Sequence, residues 1–215
     1  MKIHAIMTRV LFLLIVSLMV SFMESLMVSC AQQGGQRSST SSLESVGPIL
    51  EPTLPPKPVP FVDLQRYAGT WYEIASYPQW FQRGCNCTRA RYSKKDDGTI
   101  AVVNSCNRES VDGKYSVAEG TAVVQKDPAG SNSRLKVYFF LPWLRLFGGD
   151  YWIIGLDEEY RWAVVGDPSK KFLWILSRTP SLDDAELRRG KSVIESNGLD
   201  LTALQWTVQK GCVYP

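Results

Sequence analysis

Five cysteines carry the clearest chemistry in this chain: Cys30, Cys85, Cys87, Cys106 and Cys212. Side chains that could support other chemistry are scarce. The single histidine is His4, in the N-terminal segment ahead of an apolar run, so the rest of the chain can assemble neither a His-based triad nor a His-containing metal cluster. Ser177 and Ser181 have no partner base in view, and Glu73 reads as a hydrogen-bonded core carboxylate rather than a general base. A four-cysteine zinc site suits a reducing compartment better than the exported one argued below. These residues predict no catalytic group, no metal and no cofactor. They predict disulfides, with one cysteine left for another task. Asn86-Cys87-Thr88 is formally a glycosylation sequon, crowded by two half-cystines.

Cys30 is the odd one. Lys2 and Arg9 precede an almost purely apolar run from Val10 to Met23, too short for a comfortable membrane span and of the right length for a signal-peptide core. Leu26-Met27-Val28-Ser29-Cys30 then resembles the lipobox of bacterial lipoproteins, in which Cys30 would become the lipidated first residue. An ordinary cleaved signal and a retained N-terminal anchor are the competing possibilities, and all three put the domain outside the cytoplasm. Residues 1–29 are thus expected to be a signal peptide. Residues 30–60, rich in Gln, Gly and Ser and then in Pro, form a tether, and 61–215 one folded domain. At about 3 Å per residue where extended, such a tether holds a domain tens of ångströms from a membrane. An apolar content of 45% with 21% charged residues is that of a globular chain. A net charge of +3 without a basic, aromatic-interleaved cluster points away from nucleic acid.

The elements that position these groups are mostly strands. Alternation and turn residues predict strands at 69–77, 87–94, 99–107, 114–125, 133–140, 149–157, 161–166 and 172–178, with a short helical turn over 61–67 before them. Eight strands joined by short turns suffice for a closed antiparallel up-and-down barrel. Ser181 to Glu186 starts a C-terminal α-helix with Leu182, Leu187 and Ile194 on its apolar face, ended by Asn197-Gly198; Leu204 to Gln209 adds a short ninth strand. Gly69 allows a close backbone approach where the first strand begins, and Trp71 beside it can plug one end of a curled sheet. Arg178 ends the eighth strand, and a guanidinium packs well over an indole face. Gly69, Trp71 and Arg178 are therefore predicted to close one end of the barrel.

Alternation also selects an inner wall. Arg89 and Arg91 outside turn Ala90 and Tyr92 inward; Val102 and Asn104 share a face with Ile100; Lys136 outside turns Leu135, Val137 and Phe139 inward; Arg178 at the closed end carries Trp174 with it. On the sixth strand Trp152 and Ile154 are assigned to the wall, with Tyr151 and Ile153 nearly as good. Ala90, Tyr92, Val102, Asn104, Val137, Phe139, Trp152, Ile154 and Trp174 are thus the candidate ligand contacts. With Trp71 at the closed end, Trp80 and Phe81 fall at the mouth, as do Trp143 and Phe147 of the 141–147 loop. Aromatics of that density, with Arg83 and Arg145 beside them, mark a membrane contact or a lid folded over the cup. If the second and third strands form a hairpin around Asp97-Gly98, Ser93 faces Thr99 and Cys106 lies opposite Asn86. That is within disulfide reach of either Cys85 or Cys87, leaving the other for Cys212.

Gly69-x-Trp71, Gly166-Asp167-Pro168 and Leu173-Trp174-Ile175-Leu176-Ser177-Arg178-Thr179-Pro180, in that order and at fitting intervals, resemble the lipocalins. The likeness is greatest to the branch holding the bacterial outer-membrane lipocalins and apolipoprotein D, and it spans roughly Val59 to Tyr214. The resemblance implies an all-β fold: an eight-stranded calyx with a C-terminal helix and a ninth strand. It implies the pairs Cys85–Cys106 and Cys87–Cys212, because a cysteine at the position of Cys87 pairs with a C-terminal one in that branch. It implies carriage of a fatty acid, lysophospholipid or similar amphiphile. The exported protein would be an outer-membrane lipoprotein facing the periplasm if bacterial, and secreted otherwise. A protein-docking module with an empty cup, and an enzyme acting on a lipophilic substrate, are the other readings. Oligomeric state is not legible.

Overall fold

The computed structural model describes residues 54–139 and 148–214. Cys30, the 1–29 segment, most of the tether, and Trp143 and Phe147 lie outside the described residues. Eight strands follow a four-residue helix α1 (Leu64–Tyr67): β1 (Gly69–Ser76), β2 (Cys85–Lys94), β3 (Ile100–Arg108), β4 (Tyr115–Val124), β5 (Arg134–Phe139), β6 (Gly148–Leu156), β7 (Trp162–Gly166) and β8 (Leu173–Ser177). Helix α2 (Asp184–Ser196) and strand β9 (Gln205–Trp206) complete the order. Each strand pairs antiparallel with the next, and β1 pairs with both β8 and β2, which closes the barrel. The all-β barrel with a C-terminal helix and one extra strand is the architecture that alternation and turn spacing predict.

The β2–β3 hairpin differs in register. Ser93 faces Ala101 rather than Thr99, because the turn spans Lys95 to Thr99 and is closed by Lys95 N–H on the Thr99 carbonyl at 2.8 Å. A slip of two residues keeps every side chain on its face, so Ala90, Tyr92 and Val102 still point into the barrel. The inner core also holds Trp71, Leu135, Val137, Ile153 and Leu176, with Tyr151 and Trp174 packed against it.

A second core lies outside the barrel, between β6–β8 and α2. Asp183 caps α2 by accepting the Glu186 amide at 2.8 Å, and Ile194 is fully buried against Val164, Leu173 and Ile175. Trp152 and Ile154 belong to this outer cluster, which corrects their assignment to the cup. Leu135 faces Tyr151 across the β5–β6 ladder and points inward, so Tyr151 and Ile153 take the inner face. Beyond Ile153 a bulge opposite Val164 and Val165 reverses the phase. Gly155 sits there because a Cβ would meet Val193 of α2 at 2.8 Å.

Residues 56–62 already pack on the barrel, so the folded domain begins before the expected boundary at 61. Pro56 is fully buried, Val59 N–H donates to the Ile153 carbonyl at 2.9 Å, and Val62 N–H to the Ser131 carbonyl at 2.8 Å. Apolar Val59 and Val62 explain this: both pack onto the barrel's inner cluster from its closed end. This segment therefore meets the barrel at the end opposite the mouth.

β1 and β2 pair only over Gly69–Tyr72 and Arg89–Tyr92. Above that the C-terminal segment bridges them. Thr207 N–H donates to the Ile74 carbonyl, Cys87 N–H to the Val208 carbonyl, and the Gln209 amide to both Glu73 and Thr88 carbonyls. Disulfides join Cys85 to Cys106 and Cys87 to Cys212. The second spans 125 residues and fastens this strap to β2.

Candidate functional site

The barrel has one end shut by side chains and one end open. At the shut end Gly69 adopts φ +100°, a value that L side chains rarely tolerate, and a Cβ there would lie 3.2 Å from Arg178 Nη1. The Arg178 guanidinium rests 3.8 Å from the Trp71 ring centroid. It donates from Nε to the Tyr160 carbonyl at 3.2 Å, from Nη1 to Thr70 at 3.0 Å and from Nη2 to Arg66 at 2.6 Å. One planar cation thus serves three carbonyls, a geometry a lysine cannot reproduce. Trp71 is fully buried and donates its indole N–H to the Tyr67 carbonyl at 2.8 Å. The residues predicted to close the barrel sit together.

Packed against Trp71 is a feature that alternation did not reveal as a unit. Tyr67 from α1, Tyr92 from β2 and Tyr151 from β6 bring their hydroxyls together, Tyr151 lying 2.8 Å from Tyr67 and 3.0 Å from Tyr92. Burial raises Tyr92 to about 12 and holds Tyr67 and Tyr151 well above the ordinary phenol range, so all three are neutral at physiological pH. Beside them is a void of about 20 Å³, lined by Leu64, Ile100, Ala122, Leu135 and Val137 as well as the tyrosines. That is room for about one water. Ligand pockets run to roughly 300–1,000 Å³, so this void by itself does not house the body of a ligand. A much wider groove, outside the closed end between Gln65 and the Lys94–Lys95 turn, is open to solvent and polar-walled and offers no burial.

Around and beyond the void the inner wall is made largely from small residues. Ala90 faces Asn104, which faces Ala118; Val102 faces Gly120; Val137 faces Gly149. A Cβ on Gly149 would meet no described atom within 4 Å. Asn104 has its side-chain oxygen buried with no hydrogen-bond partner, a free acceptor on the inner wall. Phe139, across from Gly120, is 40% exposed and marks the rim.

The mouth loop does two things at once. Trp80 to Gln82 form a single 3₁₀ turn. Gln82 reaches back into the barrel, its amide donating to Glu73 at 2.8 Å while its carbonyl accepts the Trp174 indole N–H at 3.1 Å. Glu73 also accepts from Ser76 at 3.2 Å and Thr207 at 2.6 Å. Burial raises its pKa, partly offset by these three donors. The outer half of the turn stays in water: Trp80 is 79% exposed and Phe81 41%. Phe81, Phe172 and Trp174 form a ladder with centroids 6.2 and 6.1 Å apart, running from rim to cup. Of the inner-wall residues expected from sequence, Ala90, Tyr92, Val102, Asn104, Val137, Phe139 and Trp174 share the cup; Trp152 and Ile154 do not. Missed were Tyr67 and the Gln82–Glu73 link, and Tyr151 was ranked behind Trp152. A tyrosine two residues before Gly69 and another opposite Leu135 were the available signals.

Among the described residues, no cluster of His, Cys, Asp and Glu could hold a metal ion. The Lipocalin-like domain family matches residues 62–209. Outer membrane lipoprotein Blc of Citrobacter freundii is 41% identical over 163 residues, covering 73% of this chain and 86% of that protein. Mouse apolipoprotein D is 33% identical over 159 residues, covering 70% and 78%. Insecticyanin from the tobacco hornworm Manduca sexta superposes with a TM-score of 0.60 at 23% identity, covering 74% of this chain and 87% of that one, a likeness of fold.

Proposed function

The chain belongs to the lipocalin family, and from that premise we propose that it carries a fatty acid, a lysophospholipid or a similar amphiphile, outside the cytoplasm and at a membrane surface. The observation that supports this reading best is the contrast along the barrel axis. An apolar wall runs from a sealed floor to a rim whose aromatics stand in water. The apolar chain of a ligand laid along that wall leaves water at about 25 cal/mol per Å², and its polar head stays near the mouth. Two relatives are an outer membrane lipoprotein and an apolipoprotein by name, which supports lipid cargo and lipidation of Cys30 after removal of residues 1–29. Because residues 56–62 meet the barrel at the closed end, the tether's extended length (tens of ångströms at about 3 Å per residue) lets the mouth reach the membrane that holds the anchor. Trp80, Phe81, Trp143 and Phe147 would then dip into the lipid.

Native mass spectrometry of the protein produced from its full-length gene tests this. A small non-covalent adduct that leaves on denaturation is the expected result, and the same spectrum reports acyl chains on Cys30. The 79% exposure of Trp80 favours a second reading, a docking module whose rim binds a protein while the cup stays empty. A protein free of adduct that also ignores added fatty acids would select that reading.

A further inference from the structure

Three hydroxyls meet at the floor of the cup, and a count of their protons leads to a ligand class. Tyr67, Tyr92 and Tyr151 carry three O–H donors, joined by two hydrogen bonds. Whichever way the bonds run, one proton is left over. A buried donor without an acceptor costs free energy, and no other hydrogen bond to these hydroxyls exists among the described residues. The void they line, about 20 Å³, accepts one oxygen atom.

Resting on the carrier reading above, we propose that the tyrosine trio is a polar subsite for the buried end of the ligand, selecting a chain whose deep end carries a neutral oxygen such as a hydroxyl or ketone. Neutrality follows from the surroundings. The trio offers one neutral donor. The Arg178 charge reaches Tyr67 and Tyr151, yet burial outweighs it and holds both phenols well above their ordinary range. Arg178 itself lies against Trp71 and donates to the Tyr160, Thr70 and Arg66 carbonyls, so a carboxylate at the trio would be buried with no direct ion pair and a charged head belongs at the mouth. An unsubstituted methyl end would leave the donor unpaired or facing a trapped water.

Calorimetric titration of the delipidated full chain with a chain-length series of ω-hydroxy fatty acids, and with their unsubstituted parents, tests the subsite. At the length that reaches the floor, the ω-hydroxy acid is expected to bind about tenfold more tightly than its parent. The triple variant Tyr67→Phe, Tyr92→Phe, Tyr151→Phe keeps the ring shapes and should bind the parents at least as well, with the preference gone. Tyr67→Phe alone leaves two hydroxyls and one bond, hence one surplus proton, and should retain the preference. Parent acids that bind while no length shows a preference would overturn the subsite and leave the carrier intact. A preference that survives in the triple variant would also overturn it. Failure of both ligand series to bind would overturn the carrier reading and the subsite together.

Discussion

The two ends of this barrel solve opposite problems. The closed end is tightly tied: one guanidinium answers three carbonyls, Trp71 is fully buried, and the entering chain seals it from below. The mouth half is wet and held from outside. β1 and β2 no longer pair there, and a C-terminal strap and a disulfide hold the seam. The lid turn is pinned at Gln82 while Trp80 hangs in water. Gln79, beside that turn, keeps both amide atoms buried and unpartnered. Rigidity sits where nothing has to pass; exposed apolar surface sits where a ligand or a membrane could meet it.

The largest effects should come from the groups that hold each end. Replacing Cys87 and Cys212 together by Ser should cost up to about 4–5 kcal/mol on the chain-entropy view of a loop this long. Protection of the Cys87 and Thr207 amides in hydrogen exchange should fall with it, while the closed end stays protected. Trp71→Ala should cost about 3–5 kcal/mol in denaturant unfolding, since it empties the floor. Arg178→Met should cost about 2 kcal/mol, by stranding the three carbonyls and losing the contact with the indole. Equal effects of Trp71→Ala and Trp80→Ala would abolish the distinction between the ends.

Smaller effects refine the distinction. Glu73 has a raised pKa in the fold, so the folded state holds its proton more tightly than the unfolded chain. Stability should therefore fall as pH rises from the ordinary carboxylate value, 4.5, through the raised one. Glu73→Gln should flatten that part of the stability–pH curve. Trp80→Ser with Phe81→Ser should change stability by less than about 0.5 kcal/mol yet weaken liposome binding. Unchanged liposome binding in that variant, and in Trp143→Ser with Phe147→Ser, would remove the mouth from the membrane.

Sequence alone was enough wherever one face of a strand was charged. Arg89 and Arg91 set the phase of β2, and Lys136 that of β5. Gly69, Trp71 and Arg178 were legible because their side-chain types have few other uses together. β7 carried no such signal, since α2 buries its outer face as deeply as the cup buries its inner one; all five of its residues are buried. A strand covered on both sides has no alternation to read. β6 offered a single charge, Asp150, which faces Lys136 and puts Trp152 outside with it; the apolar run after it was read without that marker, and Trp152 and Ile154 were exchanged with Tyr151 and Ile153. The tyrosine trio was invisible for another reason. Its members come from α1, β2 and β6, far apart in the chain, and each alone looks like a core aromatic; only closure of the barrel brings the three hydroxyls within hydrogen-bonding distance. The barrel, its closed end and the faces of its half-exposed strands are thus written in the order of residues, because they follow from local alternation and side-chain chemistry. The phase of β6, the docking of Pro56–Val62, and the polar groups at floor and lid emerge only on folding, because each depends on which distant segments the closed barrel brings together.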